Sequence, residues 1–206
     1  MSSKITLYHA PKTRAFTAVW LLEELGVDYE LARVDLAAGD LSKPEFKARN
    51  PMAKVPTVTV DDVHVAETGA IAIYLADRFA PGRLAPALDD PTRADFLRWC
   101  FFAAAIIEPA LGERFFKWDV PAASVAWGSF DRMIETATGG VEPGPWLLGE
   151  TFTAADIVVA SGLRFGLLFG AIDKTGPIAD YVARATARPA FERATQIEAT
   201  EIAARG

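Results

Sequence analysis

Cysteine and histidine are scarce in this chain of 206 residues, which contains one cysteine, Cys100, and two histidines, His9 and His64. A single cysteine excludes an intrachain disulfide, a CxxC redox centre and a cysteine-rich zinc site. Two histidines exclude an all-histidine metal cluster, so we expect no metal cofactor. Cys100 stands in an aromatic stretch, and we predict that it is a small, buried, apolar side chain.

Positive charge and long apolar runs are also in short supply. The chain has 21 Lys and Arg against 27 Asp and Glu, a formal net charge of −6, which does not suit a nucleic-acid backbone or an anionic membrane surface. The most apolar segment, 157–172, contains Arg164 and three glycines and is short for a membrane crossing. The first eight residues lack the apolar stretch of a signal peptide. We therefore expect a cytoplasmic protein without nucleic-acid or membrane partners.

The first eighty residues mix strand and helix patterns. Residues 5–8 alternate as a strand, 13–25 follow a helical period with Thr13 as a candidate N-cap, and 28–35 alternate again. Such a β-α-β unit favours parallel strands. A short helix at 44–50, a hairpin of strands at 56–60 and 63–65, and a helix at 67–79 complete the predicted domain.

Proline, glycine and aspartate are concentrated in residues 80–91, which is typical of a linker. Beyond it the patterns are helical, and the predicted helices are 92–118, 122–138, 154–172, 177–186 and 189–204, with a loop at 139–149. Thr153 and Asp156 form a capping-box pattern at the start of the third of these helices. The predicted organisation is an α/β domain at 1–80, a linker at 81–90 and an all-α domain at 91–206.

Three stretches, in this order, resemble the cytosolic glutathione transferase superfamily across nearly the whole chain. They are LYHAPKTR at 7–14 leading into VWLLEELG at 19–26, NPMAKVP at 50–56 followed by Glu67 and Thr68, and LGETFTAAD at 148–156. The resemblance implies a thioredoxin-like N-terminal domain, an all-α C-terminal domain and a homodimer. It also implies a site for glutathione as co-substrate on the first domain.

Two residues are candidates for activating the glutathione thiol. A free thiol has a pKa near ~8.5, so an activating group has to favour the thiolate at neutral pH. The resemblance to serine-type members assigns this role to Thr13, whose hydroxyl can donate a hydrogen bond at a helix N-terminus. Tyr8, at the end of the first strand, is the alternative by resemblance to tyrosine-type members. The residues alone also allow Thr13 to be a plain N-cap and Tyr8 an ordinary strand aromatic.

The other glutathione contacts are implied by the same resemblance. Val55 and Pro56 match the cis-proline corner, where the Val55 backbone pairs with the cysteinyl part of glutathione. Lys54 is expected near the glycyl carboxylate. Glu67 is expected to pair with the ammonium group of glutathione, and Thr68 to hold the γ-glutamyl carboxylate at a helix N-terminus.

The family usually has glycine where Ala53 stands, a mild change unless the position requires a positive φ. A hydrophobic co-substrate pocket is implied as well, and its candidates are His9, Ala10, Phe102 and Phe115. The implied activity is the addition of the glutathione thiolate to a small, hydrophobic electrophile, in a detoxification role. The alternative is a non-catalytic binding or interaction module with the same fold.

Overall fold

A computed structural model describes residues 3–204, and these form two compact units. The first contains residues up to Phe79 together with those from Pro189 onward, and the second contains Ala80–Arg188. Within the described range, no helix is both long and apolar enough to span a membrane.

The first unit is built on a four-stranded sheet in the order β2-β1-β3-β4. Its strands are β1 (Ile5–His9), β2 (Glu30–Arg33), β3 (Thr57–Val60) and β4 (Val63–Ala66), and its helices are α1 (Ala15–Leu25), α2 (Pro44–Lys47), α3 (Thr68–Phe79) and α9 (Pro189–Ala203). β1 runs parallel to β2 and antiparallel to β3, and β3 pairs with β4 as a hairpin. The predicted thioredoxin-like α/β organisation and the parallel β-α-β unit are confirmed.

Alternation in β1 separates the two faces of the sheet. Ile5, Leu7 and His9 are buried, whereas Thr6 and Tyr8 are half-buried. Tyr8 packs against the cluster formed by Val34 and Phe46, so its side chain lies on the α2 side of the sheet. Helix α1 ends where Gly26 adopts a left-handed conformation with φ +68°.

The second unit is mostly helical. It contains α4 (Arg93–Phe102), a π-helical turn (Ala103–Ile107), α5 (Glu108–Phe116), α6 (Phe130–Val141), α7 (Ala154–Leu168) and α8 (Pro177–Thr186). The predicted helix at 92–118 is thus interrupted. Pro109 lacks an N–H and crowds the carbonyl four residues earlier, and a π-helical turn next to it accommodates that defect.

The region before and after α6 differs from the prediction. The helix begins at Phe130 instead of residue 122, because Ser129 is its N-cap and its side chain accepts a hydrogen bond from the Arg132 N–H. It also continues through Gly139 and Gly140, which the sequence assigned to a loop. A Cβ atom at Gly140 would collide with the Trp99 ring. This glycine therefore allows close packing inside the unit and does not break the helix.

The last helix, α9, packs on the first unit, although the sequence analysis assigned it to the all-α domain. Phe191 lies edge-on against Phe16 and Trp20, with ring centroids 5.5 and 4.9 Å apart. Arg193 Nε donates to Glu23 Oε2 over 2.7 Å. Since the sequence pattern reports that a helix is amphipathic and not where its apolar face goes, this placement was not predictable from periodicity. The predicted domain ranges differ from the compact units in this respect.

Candidate functional site

The register of the sheet brings three loops to one end of the first unit. Tyr8 is opposite Thr57 in the pairing of β1 with β3, and Thr57 is opposite Ala66 in the pairing of β3 with β4. These residues are adjoined by the segments 10–13, 53–56 and 67–68, which therefore meet at the same end of the sheet. Helices α1 and α3 both begin there, and the first N–H groups of a helix have no partner within the helix.

Thr13 lies in the first of these loops, one residue before the N-cap position of α1. Helix α1 begins at Ala15, and its N-cap position is Arg14. The Thr13 hydroxyl donates to the Ala10 carbonyl over 2.6 Å and accepts from the Ala15 N–H over 3.2 Å. The prediction of a plain N-cap is wrong in detail, because the hydroxyl closes a short turn before the helix. To donate to a ligand, this hydroxyl has to turn away from Ala10.

Tyr8 is held on the α2 side of the sheet. Its ring packs edge-on against Phe46 with centroids 5.7 Å apart, and the Arg49 guanidinium lies 5.3 Å from the ring centroid. These are the contacts of a strand aromatic in a small core, the ordinary alternative that the sequence left open.

The second loop contains the Val55–Pro56 peptide bond, which is cis as predicted. Asn50 holds this loop from the inside of the unit, where only 2% of its surface is exposed. Its side-chain amide donates to the Lys54 carbonyl over 2.9 Å and to the Thr57 hydroxyl over 3.0 Å. Lys54 itself is exposed and Val55 is half-buried. The structural role of Asn50 was missed, because a sequence does not show that an amide is buried and directed into a loop.

Ala53 and Glu67 adopt backbone conformations that side chains disfavour. Their φ angles are +53° and +67°. Position 53 therefore meets the condition under which alanine is not a mild replacement, since glycine is preferred in the left-handed region. Such conformations in non-glycine residues concentrate at ligand-binding loops. Glu67 is exposed and Thr68, the first residue of α3, is half-buried.

The residues proposed for the co-substrate pocket fall into two groups. His9 and Ala10 have no exposed surface, so their burial does not support a direct contact with a co-substrate. Phe102 and Phe115 belong to the second unit. Phe102 packs on Trp99 with centroids 5.1 Å apart, and Phe115 lies 6.1 Å from the ring of Phe169.

Cys100 is buried, which confirms its predicted character. Among residues 3–204 no group of three or more histidine, cysteine or acidic side chains is arranged to hold a metal ion.

Glu198, on α9, reaches the first loop and was also missed from the sequence. Its Oε1 accepts from the Lys12 N–H over 2.6 Å, and its Oε2 lies 2.8 Å from His9 Nε2. Burial alone would raise the pKa of Glu198. The hydrogen bonds from His9 and Lys12 outweigh burial and hold that pKa below its ordinary value.

The chain is similar to known proteins in both sequence and fold. The family model for the N-terminal domain of glutathione S-transferase matches residues 3–77. The crystal structure of a glutathione transferase from Methylococcus capsulatus is 30% identical, covers 95% of this chain and 99% of its own, and superimposes with a TM-score of 0.78. The chain belongs to the cytosolic glutathione transferase superfamily.

Other glutathione transferase relatives carry further information. A homolog from Sulfitobacter, solved with bound glutathione, is 26% identical, covers 94% of this chain and 97% of its own, and has a TM-score of 0.74. Disulfide-bond oxidoreductase YfcG from Escherichia coli K12 is 29% identical over 166 residues, which are 74% of this chain and 76% of that protein. The superfamily therefore includes similar proteins that are named for different reactions.

Proposed function

We propose that this chain is a glutathione transferase that binds glutathione at the sheet end formed by residues 10–13, 53–56 and 67–68. In this proposal it stabilises the thiolate and adds it to a small, hydrophobic electrophile. The observation that carries the proposal is the convergence of three loops and two helix N-termini at one end of the sheet. The Sulfitobacter homolog with bound glutathione supports the choice of ligand.

Each part of the site has a role in this proposal. The backbone of Val55 extends past the end of β3 and pairs with the cysteinyl residue of glutathione as an added strand does. The exposed Lys54 lies near the glycyl carboxylate. The N-terminus of α3 at Thr68 holds the γ-glutamyl carboxylate, and the carboxylate of Glu67 pairs with the ammonium group.

Thr13 is our preferred group for holding the thiolate. Its hydroxyl lies just before α1, and the positive end of that helix dipole also favours an anion. The thiol proton is released, the thiolate attacks the electrophilic carbon, and the electron pair of the broken bond leaves with the departing group or remains on the acceptor as an anion that is then protonated. Tyr8 remains the alternative, and its packing against Phe46 and Arg49 gives it a sufficient structural reason to be there.

A second candidate is disulfide exchange by bound glutathione, which the name of the Escherichia coli relative favours. One glutathione thiolate attacks a disulfide sulfur and releases one thiolate. A second glutathione then attacks the mixed disulfide, so that oxidised glutathione and the second thiol are formed. This sequence needs no protein cysteine, which agrees with the burial of Cys100. It uses the same thiolate-stabilising site as the transfer reaction.

The experiment that tests the proposal is a calorimetric titration with reduced glutathione, followed by assays with an aryl halide and with a small mixed disulfide. We expect binding in the micromolar to low millimolar range and turnover of the aryl halide. Turnover of the disulfide alone would favour the second candidate. Binding without any turnover, or no heat at two temperatures, would favour the non-catalytic binding module.

The residue assignment is tested with Thr13→Ala and Tyr8→Phe. We expect the larger loss of kcat/KM in Thr13→Ala. A larger loss in Tyr8→Phe would transfer the activating role to Tyr8. The homodimer, the detoxification role and the cytoplasmic location remain proposals, and sedimentation at micromolar concentration tests the first of them.

A further inference from the structure

The loop that precedes Thr13 contains a backbone conformation that needs support. Lys12 is an exposed, non-glycine residue with φ +62°. A side chain in this region is strained, so the conformation persists only where neighbouring groups enforce it. Inside the loop, the bond from the Thr13 hydroxyl to the Ala10 carbonyl is one such constraint.

The other constraint comes from a helix nearly two hundred residues later in the chain. Glu198 on α9 accepts the N–H of Lys12 itself over 2.6 Å. Its second oxygen lies 2.8 Å from Nε2 of His9, a side chain with no exposed surface. The Glu198 side chain is 14% exposed. One carboxylate therefore joins both ends of the segment 9–12, directly before Thr13.

The charge state of this link follows from its partners. Burial opposes the charge on Glu198, and the donors at His9 and Lys12 outweigh that effect, so that its pKa is lowered. A carboxylate only accepts hydrogen bonds, so His9 carries its proton on Nε2. Its Nδ1 is buried and has no hydrogen-bond partner among the described residues. Among the described residues, the bond to Glu198 is thus the one hydrogen bond that orients the His9 ring.

We propose that Glu198 is a positioning residue that holds the Lys12 backbone and thereby places the Thr13 hydroxyl for the glutathione thiolate. This inference rests on the proposed function. Glu198 touches neither Thr13 nor the sulfur, and it acts through the loop. A displacement of about 1 Å at a reacting group can lower a rate by about a hundredfold, which is why a loop contact of this kind affects catalysis.

Three variants separate this role from a general effect of α9. Glu198→Ala removes both hydrogen bonds, whereas Glu198→Gln removes the charge and keeps an oxygen that can accept the Lys12 N–H. Glu201→Ala is the matched control, because Glu201 lies one turn further along α9. Its carboxylate pairs with Arg33 on β2 over 2.8 Å, and its side chain is 8% exposed. This control removes an ion pair with β2 from the same helix and keeps both hydrogen bonds of Glu198. It also removes the Glu201 charge, which raises the pKa of Glu198, so any effect of that charge is measured with it.

The first measurement is hydrogen exchange of the peptide that contains Lys12, in the protein without glutathione. We expect faster exchange in Glu198→Ala and unchanged exchange in Glu201→Ala. The second is the pH profile of kcat/KM with glutathione and an aryl halide. In Glu198→Ala we expect the acidic limb to move up by about one pH unit, which is a roughly tenfold loss at a given pH on that limb, because the thiolate is less well stabilised. Glu198→Gln should retain most of the wild-type profile.

The outcomes separate a failure of glutathione binding from a failure of the positioning role of Glu198. If the wild-type protein binds no glutathione, the proposed function fails and the inference fails with it. If the wild type binds and turns over glutathione but Glu198→Ala keeps the wild-type profile, the inference alone is overturned. Equal shifts to higher pH in Glu198→Ala and Glu198→Gln would also overturn it, because the Lys12 hydrogen bond that Glu198→Gln keeps would then have no effect. A carboxylate charge that acted directly on the thiolate would give the opposite result, a move of the acidic limb to lower pH in both variants.

Discussion

Two threonines precede long helices in this protein, and they are used differently. Thr153 caps α7 in a complete capping box, in which its side chain and that of Asp156 each bind the backbone of the other residue. Thr13 precedes α1, but the N-cap position is Arg14 and the hydroxyl bonds back to Ala10. The first arrangement joins two residues of the cap to each other. The second joins Thr13 to the loop at residues 10–13, which is part of the proposed glutathione site.

The capping box of α7 is also the more deeply buried of the two. The Asp156 carboxylate accepts from the N–H groups of Leu147 and Thr153 and from the hydroxyls of Thr153 and Tyr181. Burial raises the pKa of Asp156, and these donors act in the opposite direction. Glu198, which accepts the N–H of Lys12 next to Thr13, has its pKa lowered. The carboxylates near the two helix starts therefore have pKa values that are shifted in opposite directions.

The largest expected effect is that of Asp156→Ala. It leaves several buried donors without an acceptor, and we expect a loss of about 3 kcal/mol in the free energy of unfolding, measured by urea denaturation. Ser129→Ala at the more exposed N-cap of α6 is the control and should cost about 1 kcal/mol. Equal losses in the two variants would show that burial adds nothing to the α7 cap.

Thr13→Ala should have the opposite profile. We expect kcat/KM for glutathione transfer to fall by about ten- to a hundredfold, as for the loss of one donor to a developing or stored negative charge. The free energy of unfolding should change by less than about 1 kcal/mol. Thr13→Ser keeps the hydroxyl and should retain most of the activity. A Thr13→Ala protein with normal activity and a large loss of stability would make the two threonines equivalent.

Thr153→Ala should lower the stability of the protein and leave its activity unchanged. We expect a loss of about 1–2 kcal/mol in stability, with kcat unchanged when it is measured well below the midpoint of thermal unfolding. Thr153→Ser is the conservative partner and should lie close to the wild type in both measurements. An early loss of kcat in Thr153→Ala would mean that the α7 cap affects the chemistry.

Ala53→Gly should give a small gain. Relief of the left-handed conformation at φ +53° is worth about 1–2 kcal/mol, and the added freedom of glycine in the unfolded chain offsets about half of it. We expect the midpoint of urea unfolding to rise. Gly26→Ala is the matched control, because a Cβ there meets nothing within 4 Å and only its φ of +68° opposes it. A fall in stability for Ala53→Gly would remove strain as the explanation.

The smallest effect is the dependence on pH. Because the pKa of Glu198 is lower in the folded state, its contribution to stability is present above its unfolded pKa, near ~4.3, and is lost as the pH falls through the folded value. The difference in unfolding free energy between the wild type and Glu198→Gln should therefore shrink in acid. A difference that grows on acidification would reverse the sign of the shift.

The α/β start, the parallel β-α-β unit and the α7 capping box were predictable because local patterns determine them. The prolines at 44, 51 and 56, and the spacing of Thr153 and Asp156, report backbone geometry directly. The start of α6 was not found, since the N-cap at Ser129 competes with helical periodicity before it. Gly139 and Gly140 were misread because a glycine required for packing against Trp99 has the same letter as a helix breaker.

The site could be predicted only in part, for a related reason. Thr13, Val55, Pro56, Glu67 and Thr68 lie in motifs of contiguous residues, which a sequence displays. The contributions of Asn50 and Glu198 depend on where their side chains are directed after folding. Glu198 approaches Lys12 across 186 positions of the chain. No periodicity or spacing rule connects residues so far apart, so such partners are found only from coordinates.

The return of α9 to the first unit has a consequence for how the protein is made. The sheet and its helices are translated first, and residues 80–188 follow before Pro189 is added. Until then Phe16 and Trp20 lack the packing partner Phe191, and the Lys12 N–H lacks the carboxylate of Glu198 as its acceptor. The half of the molecule that contains the proposed glutathione site is therefore synthesised early but completed late. A nascent chain has to protect these apolar side chains until α9 has been translated.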